Sequence, residues 1–222
     1  MSADVPLVRF VGKLTFLDRT PAELRKEADD FCHEKIDPHL ARIQPGLLSC
    51  FGDDFGRSDD ITVIWPMQIG KSLTRRTPFI VELRNCPFEQ QRQILFYIVD
   101  RLPRFFGGAM DARGNGQYLA EVAAQRYGAS VEQTMLSLEW YRDNMPRYKA
   151  AFEDGLIELP KEPDILADHR IIRMEKGVAS ILDRRTQGDD GRQRHGDSAG
   201  TSVKPITRRQ LPACHHLAAP RR

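Results

Sequence analysis

Aspartates close two apolar, β-prone runs in this chain. Asp53 and Asp54 fall in Cys50-Phe51-Gly52-Asp53-Asp54-Phe55-Gly56-Arg57-Ser58-Asp59-Asp60-Ile61-Thr62-Val63-Ile64-Trp65, and Asp111 falls in Gly107-Gly108-Ala109-Met110-Asp111-Ala112-Arg113-Gly114-Asn115-Gly116. A carboxylate at a strand end is fixed by its neighbours more tightly than one on a loop, which suits it to holding a divalent ion. A third aspartate, Asp197 in Arg194-His195-Gly196-Asp197, could complete such a site. Two to four carboxylates meeting at a sheet edge can hold two ions roughly 4 Å apart, an arrangement that activates water and neutralises the charge built up in phosphodiester hydrolysis. The plainer alternative is that an Asp before glycine at a strand end forms a turn or caps a helix.

Strand alternation separates the first two acids. Asp53 should face away from Asp54, so Asp54 is the expected ligand, and Asp60 is expected to brace the turn or Arg57. His195 could assist a metal-bound water or contact a phosphate, although a histidine in a polar loop is more often simply solvated. Arg113, Arg192 and Arg194, with Arg147 and Lys149, could line a groove for a phosphate backbone. Gly70-Lys71-Ser72 imitates the end of a P-loop, but that pattern needs glycine where Trp65 stands.

These residues need a scaffold, and the hydrophobic pattern supplies one. Residues 47–51, 61–65 and 79–83 read as neighbouring strands, the first two joined by the acidic turn. After Pro87, apolar residues at helical spacing predict a helix over 87–102. A strand over 105–110, a helix over 116–127, a strand over 131–136 and a helix over 139–153 follow, the last bent or split at Pro146. A short extended piece, a turn of helix over 164–168 and a hairpin over 171–182 come next. Three strands followed by alternating helices and strands make an α/β fold, a mixed sheet flanked by helices that matches the ribonuclease H-like fold in outline.

Thr20-Pro21-Ala22-Glu23 signals a helix start. Residues 1–46 are read as a linker and lead-in helix, 47–199 as the domain and 200–222 as a disordered basic tail. The chain is 222 residues with a formal net charge of +2, which excludes neither a nucleic acid nor a protein partner. Its four cysteines form no C-x-x-C pair, which favours a reduced compartment. No apolar run approaches the ~20 residues needed to cross a bilayer, so no membrane association is expected.

Taken in order, Gly52-Asp53-Asp54-Phe55-Gly56-Arg57 with Asp60-Ile61-Thr62-Val63, Glu82-Leu83-Arg84-Asn85 with Pro87-Phe88, Met110-Asp111-Ala112-Arg113-Gly114-Asn115-Gly116, Trp140-Tyr141 and Arg194-His195-Gly196-Asp197 resemble the nuclease half of phage terminase large subunits, in their Mu-like prophage branch. The likeness covers about residues 47–199. It implies a ribonuclease H-like, metal-dependent endonuclease that cuts phage DNA during packaging in the bacterial host cytoplasm. It further implies a two-metal Mg2+ or Mn2+ site on Asp54, Asp111 and Asp197, double-stranded phage DNA as substrate, and the terminase ATPase or small subunit and the portal as partners.

Two features depart from that family. The chain carries no Walker motif, so DNA translocation is not expected of it. After Asp197 the sequence Ser198-Ala199-Gly200-Thr201-Ser202-Val203-Lys204-Pro205 lacks the apolar, alanine-rich helix that would hold this residue. Two other readings therefore stand beside the first: an inactive or truncated prophage remnant acting at most as a DNA-packaging binding component, and a ribonuclease H-like nuclease or resolvase outside packaging.

Overall fold

The computed structural model describes residues 4–13, 19–56, 61–170, 172–175 and 178–181. The main sheet has seven strands: β1 (Leu7–Val11), β2 (Leu48–Asp54), β3 (Ile61–Ile69), β4 (Arg75–Arg76), β5 (Ile80–Arg84), β6 (Phe105–Asp111) and β7 (Val131–Thr134). Their order is β1-β5-β3-β2-β6-β7, with β4 paired to β3. The β2–β3 and β3–β5 pairs are antiparallel, whereas β6 runs parallel to β2, β7 parallel to β6 and β1 parallel to β5. Setting β1 and β4 aside, three antiparallel strands continue into two parallel ones. This is the ribonuclease H-like mixed sheet anticipated from the sequence.

Both faces of the sheet are covered, so its central strands are continuously apolar instead of alternating. On one face, Phe51, Ile64, Val81, Leu83 and Met110 pack with residues of α1 (Pro21–Phe31), α3 (Phe88–Val99) and α4 (Gly116–Tyr127), among them Phe31, Ile94, Ile98, Leu119 and Ala123. A π-helical turn, Cys32–Ile36, joins α1 to the short α2 (Asp37–Leu40). On the other face Cys50, Val63, Trp65, Met67 and Ile80 pack with Ile165 of α6 (Pro163–Arg170). A third cluster holds Met145 and Tyr148 of α5 (Leu138–Glu153) against Ile157, and a hairpin of β8 (Ile172–Glu175) and β9 (Val178–Ile181) ends the described chain.

The expectation that residues 1–46 form only a linker and a lead-in helix is corrected at one end. The helix is present, with Thr20 and Glu23 completing a capping box and Pro21 in its first turn. The segment before it, however, supplies β1, whose Val8 and Phe10 are buried while Arg9 meets Glu82 of β5 at 3.1 Å. The run Leu7-Val8-Arg9-Phe10-Val11 alternates as a half-covered edge strand should. α1 is then bound to α3 by two glutamines, Gln90 donating to the Leu24 carbonyl at 2.7 Å and Gln93 to Asp29 at 2.6 Å. α5 is also not split: it runs as one helix through Pro146. The expected C-terminal tail lies outside the described residues. No helix among the described residues is long and apolar enough to cross a membrane.

Candidate active site

The site begins with the register of β2 against β6. Ser49 pairs with Phe105 but Cys50 pairs with Gly107, so one extra residue, Phe106, forms a bulge in β6. Beyond it Gly52 pairs with Ala109 and Asp53 with Met110, which brings Asp54 and Asp111, the next residue on each strand, level at the strand ends. Without that bulge Asp54 would lie opposite Met110. Because a one-residue slip exchanges the faces of a strand, the bulge is what turns both carboxylates to the same side. The close β2–β6 approach also depends on Gly108, where a Cβ would come within 2.1 Å of the Phe51 ring.

The turn after β6 is fixed by two glycines with different tasks. Gly114 adopts φ +55°, a left-handed conformation that favours glycine. Gly116 opens α4 so near the strand that a Cβ would sit 2.4 Å from the Asp111 carbonyl oxygen. β7 supports the same turn, the Thr134 carbonyl accepting from the Ala112 amide at 2.9 Å.

The turn after β2 is anchored by a buried polar network. The Gly56 amide donates to Thr62 Oγ1 at 2.7 Å, and Thr62 Oγ1 lies 2.6 Å from Gln91 Oε1. Gln91 Nε2 donates in turn to the carbonyls of Gly56 at 3.0 Å and Cys86 at 2.7 Å. Phe55 stacks on Phe88 with ring centres 4.9 Å apart, and α3 thereby grips the chain just beyond Asp54.

Between these two anchored turns the carboxylates are not neutralised evenly. Arg113 embraces Asp111: its Nε lies 3.0 Å from Oδ1, its Nη2 2.8 Å from Oδ2, and its amide donates to Oδ1 at 3.0 Å. Arg113 Nη1 also donates to the Leu136 carbonyl at 3.2 Å. Asp53 is the opposite case. It is 5% exposed, and neither of its carboxylate oxygens has a hydrogen-bond partner among the described residues. Burial raises its pKa well above the carboxylate range, and the nearby charges of Asp54 and Asp111 raise it further. Tyr141 of α5 completes the neighbourhood. Its hydroxyl pKa is raised chiefly by burial, with Arg113 pulling it down and Asp111 and Asp54 pushing it up.

The structure therefore brings Asp54 and Asp111 together, as expected, and places Arg113 on Asp111. Asp197, His195, Arg192, Arg194, Asp60 and Arg57 lie outside the described residues. Lys149, expected on a phosphate groove, is exposed and pairs with Glu153 one helical turn on at 2.8 Å. Asp53 does face away from Asp54, but alternation alone did not disclose that its burial would leave it without a partner. Tyr141, Thr62 and Gln91 were not read as site residues; a threonine inside an apolar strand and paired glutamines on the inner face of a helix were the available signals. Among the described residues, no group of three or more His, Cys, Asp or Glu side chains is arranged to hold a metal ion, so the described site is a carboxylate pair with Asp53 beneath it.

No protein-family model matches the chain. Two curated relatives do. The Mu-like prophage FluMu protein gp28 of Haemophilus influenzae is 40% identical over 193 residues, covering 86% of this chain and 38% of that protein. The probable terminase large subunit gp28 of Escherichia phage Mu is 39% identical over 198 residues, covering 88% of this chain and 36% of that protein. The chain is a homologue of the Mu-like phage terminase large subunits. It spans a little over a third of the length of the two curated relatives it matches. The fold agrees: the crystal structure of the large terminase nuclease from thermophilic phage G20c with bound magnesium superposes with a TM-score of 0.50 at 18% identity, over 64% of this chain and 76% of that one.

Proposed function

We propose that this chain is the metal-dependent DNA endonuclease segment of a Mu-like phage terminase large subunit, cutting double-stranded phage DNA during packaging in the host cytoplasm. The observation that carries this reading is the pair Asp54 and Asp111, set level by the β6 bulge at the ends of adjacent parallel strands of a ribonuclease H-like sheet. The terminase ATPase or small subunit and the portal are its proposed partners.

Carboxylate oxygens are the donors that Mg2+ and Mn2+ prefer, so the residues present fit such an ion. The two described donors are Asp54 and Asp111, level at the ends of adjacent strands; Asp53 lies on the opposite face, where their charge and its own burial favour its protonated form. Asp54 and Asp111 would hold the metal, with Asp197 the proposed third ligand by family likeness. A bound pair of ions would activate water and stabilise charge on the phosphate oxygens. The chain's own contribution is positional: the Gly56–Thr62–Gln91 network fixes the Asp54 side, and the Gly114 and Gly116 turn fixes the Asp111 side.

Plasmid nicking with added Mn2+ tests this reading. Asp54→Ala and Asp111→Ala should each lower the nicking rate by at least about a hundredfold, the scale on which loss of one charge-stabilising group acts. Asp197→Ala should do the same. Nicking unchanged by Asp54→Ala and Asp111→Ala would remove the site, and an inert native chain that still binds DNA would favour a packaging component without catalysis.

A further inference from the structure

One of the two proposed metal ligands already holds a positive charge of the protein's own. Arg113 lies two residues beyond Asp111, on a turn that bends back through Gly114, and its amide and side chain approach the same carboxylate. Nε reaches both oxygens, at 3.0 and 3.2 Å, while Nη2 takes Oδ2 at 2.8 Å. This is the side-on fork that guanidinium makes with carboxylate. Asp111 itself is only 12% exposed, so little of it remains open to solvent, whereas Arg113 is 46% exposed.

A hard divalent ion bonds carboxylate oxygen directly, at about 2.0–2.1 Å for magnesium. A guanidinium forked across the same two oxygens would leave two positive centres almost in contact, and their repulsion is strong where water is partly excluded. One must give way. Arg113 can do so cheaply, because nearly half of its side chain already faces water and the Leu136 carbonyl, 3.2 Å from Nη1, offers it an alternative hold. We propose that Arg113 is a built-in counter-ion of Asp111, which a divalent cation must displace, and that it thereby lowers the metal affinity of the site. The inference rests on the metal-dependent reading above and makes Arg113 a positioning residue.

Calorimetric titration of the full chain with Mn2+ alone at pH 8 tests it, with no DNA and no turnover involved. Arg113→Gln should bind Mn2+ roughly fivefold more tightly than the native chain, the scale of one partly exposed charge pair. Arg113→Lys keeps the charge but loses the fork and should fall between the two. A purely structural role predicts the reverse, since a loosened Asp111 binds metal less well. Equal or weaker binding by Arg113→Gln, with native-like thermal melting, would overturn the proposal; if that variant fails to fold, the same comparison on Arg113→Lys decides. Binding lost in Asp111→Asn but unaltered in Arg113→Gln overturns the counter-ion role and leaves the nuclease reading standing. Absence of Mn2+ binding in the native chain and in Arg113→Gln alike overturns both.

Discussion

Two polar clusters adjoin at the end of β2, built on opposite principles. In the one formed by Gly56, Thr62, Gln91 and Cys86, the Gly56 amide, the Thr62 hydroxyl and both Gln91 amide hydrogens have acceptors inside the protein. In the one formed by Asp53, Asp54 and Asp111, three acidic residues are collected, Asp53 has no partner for either oxygen among the described residues, and Asp111 is matched by a half-exposed arginine. Desolvating polar groups is costly wherever it occurs. The first cluster offsets that cost internally and so serves as an anchor. The second leaves it standing at Asp53, where no partner among the described residues offsets it.

The sharpest way to break this contrast is to open the closed cluster. Gln91→Leu would strand the buried Cys86 carbonyl and take one partner each from the Gly56 carbonyl and the Thr62 hydroxyl, which keep each other at 2.9 Å. The expected loss is about 3 kcal/mol of folding stability, read from urea unfolding, since each stranded polar group costs on the order of 1–3 kcal/mol. Thr62→Ser keeps the hydroxyl and should lose much less. Were Gln91→Leu no less stable than the native chain, the network would not be an anchor. A smaller effect is expected on the other side of the site. Gly116→Ala drives a Cβ against the Asp111 carbonyl, a backbone atom that cannot swing away as a side chain can, and should cost about 2 kcal/mol. If its unfolding midpoint matches the native one, α4 does not bear on the strand end as closely as described.

The contrast also marks what could be read from the chain beforehand. The strands from Leu48 onward other than the two-residue β4, the helix from Gly116 to Tyr127 and the placing of Asp54 and Asp111 at strand ends were legible, because period, turn residues and strand ends are local signals. The device that aligns the two acids was not: a bulge at Phe106 is a property of two strands in register, and Gly107-Gly108 signals only that a bulge or a close approach can be accommodated there. β1 was missed for a related reason, as five residues gain strand character only when β5 lies alongside. Asp53 shows the limit most clearly. Alternation assigned its face correctly, but whether a face is wet or dry depends on helices that arrive much later in the sequence, and only burial turns an ordinary aspartate into an unpartnered one.

Asp53 also permits the finest test, through pH. Its folded-state pKa is raised, by burial first and then by Asp54 and Asp111, so between the unfolded value near 3.8 and the raised folded value the native state binds more protons than the unfolded chain. Stability must then fall as pH rises through that interval, with a slope of at most about 1.4 kcal/mol per pH unit from this one group. Asp53→Asn removes the titration while keeping the shape, and it resembles the protonated residue in carrying no charge. In EDTA the two chains should be similar in stability near pH 4, with Asp53→Asn increasingly the more stable as pH rises. Taking the difference between them cancels the titrating groups that do not interact with Asp53, leaving its own titration and its coupling to Asp54 and Asp111. Mn2+ should narrow that difference at high pH, because a cation at the strand end offsets the charge that Asp53 alone cannot. A difference that stays constant from pH 4 to pH 8 would mean that Asp53 is neutralised within the protein, and the two clusters would then not be opposites.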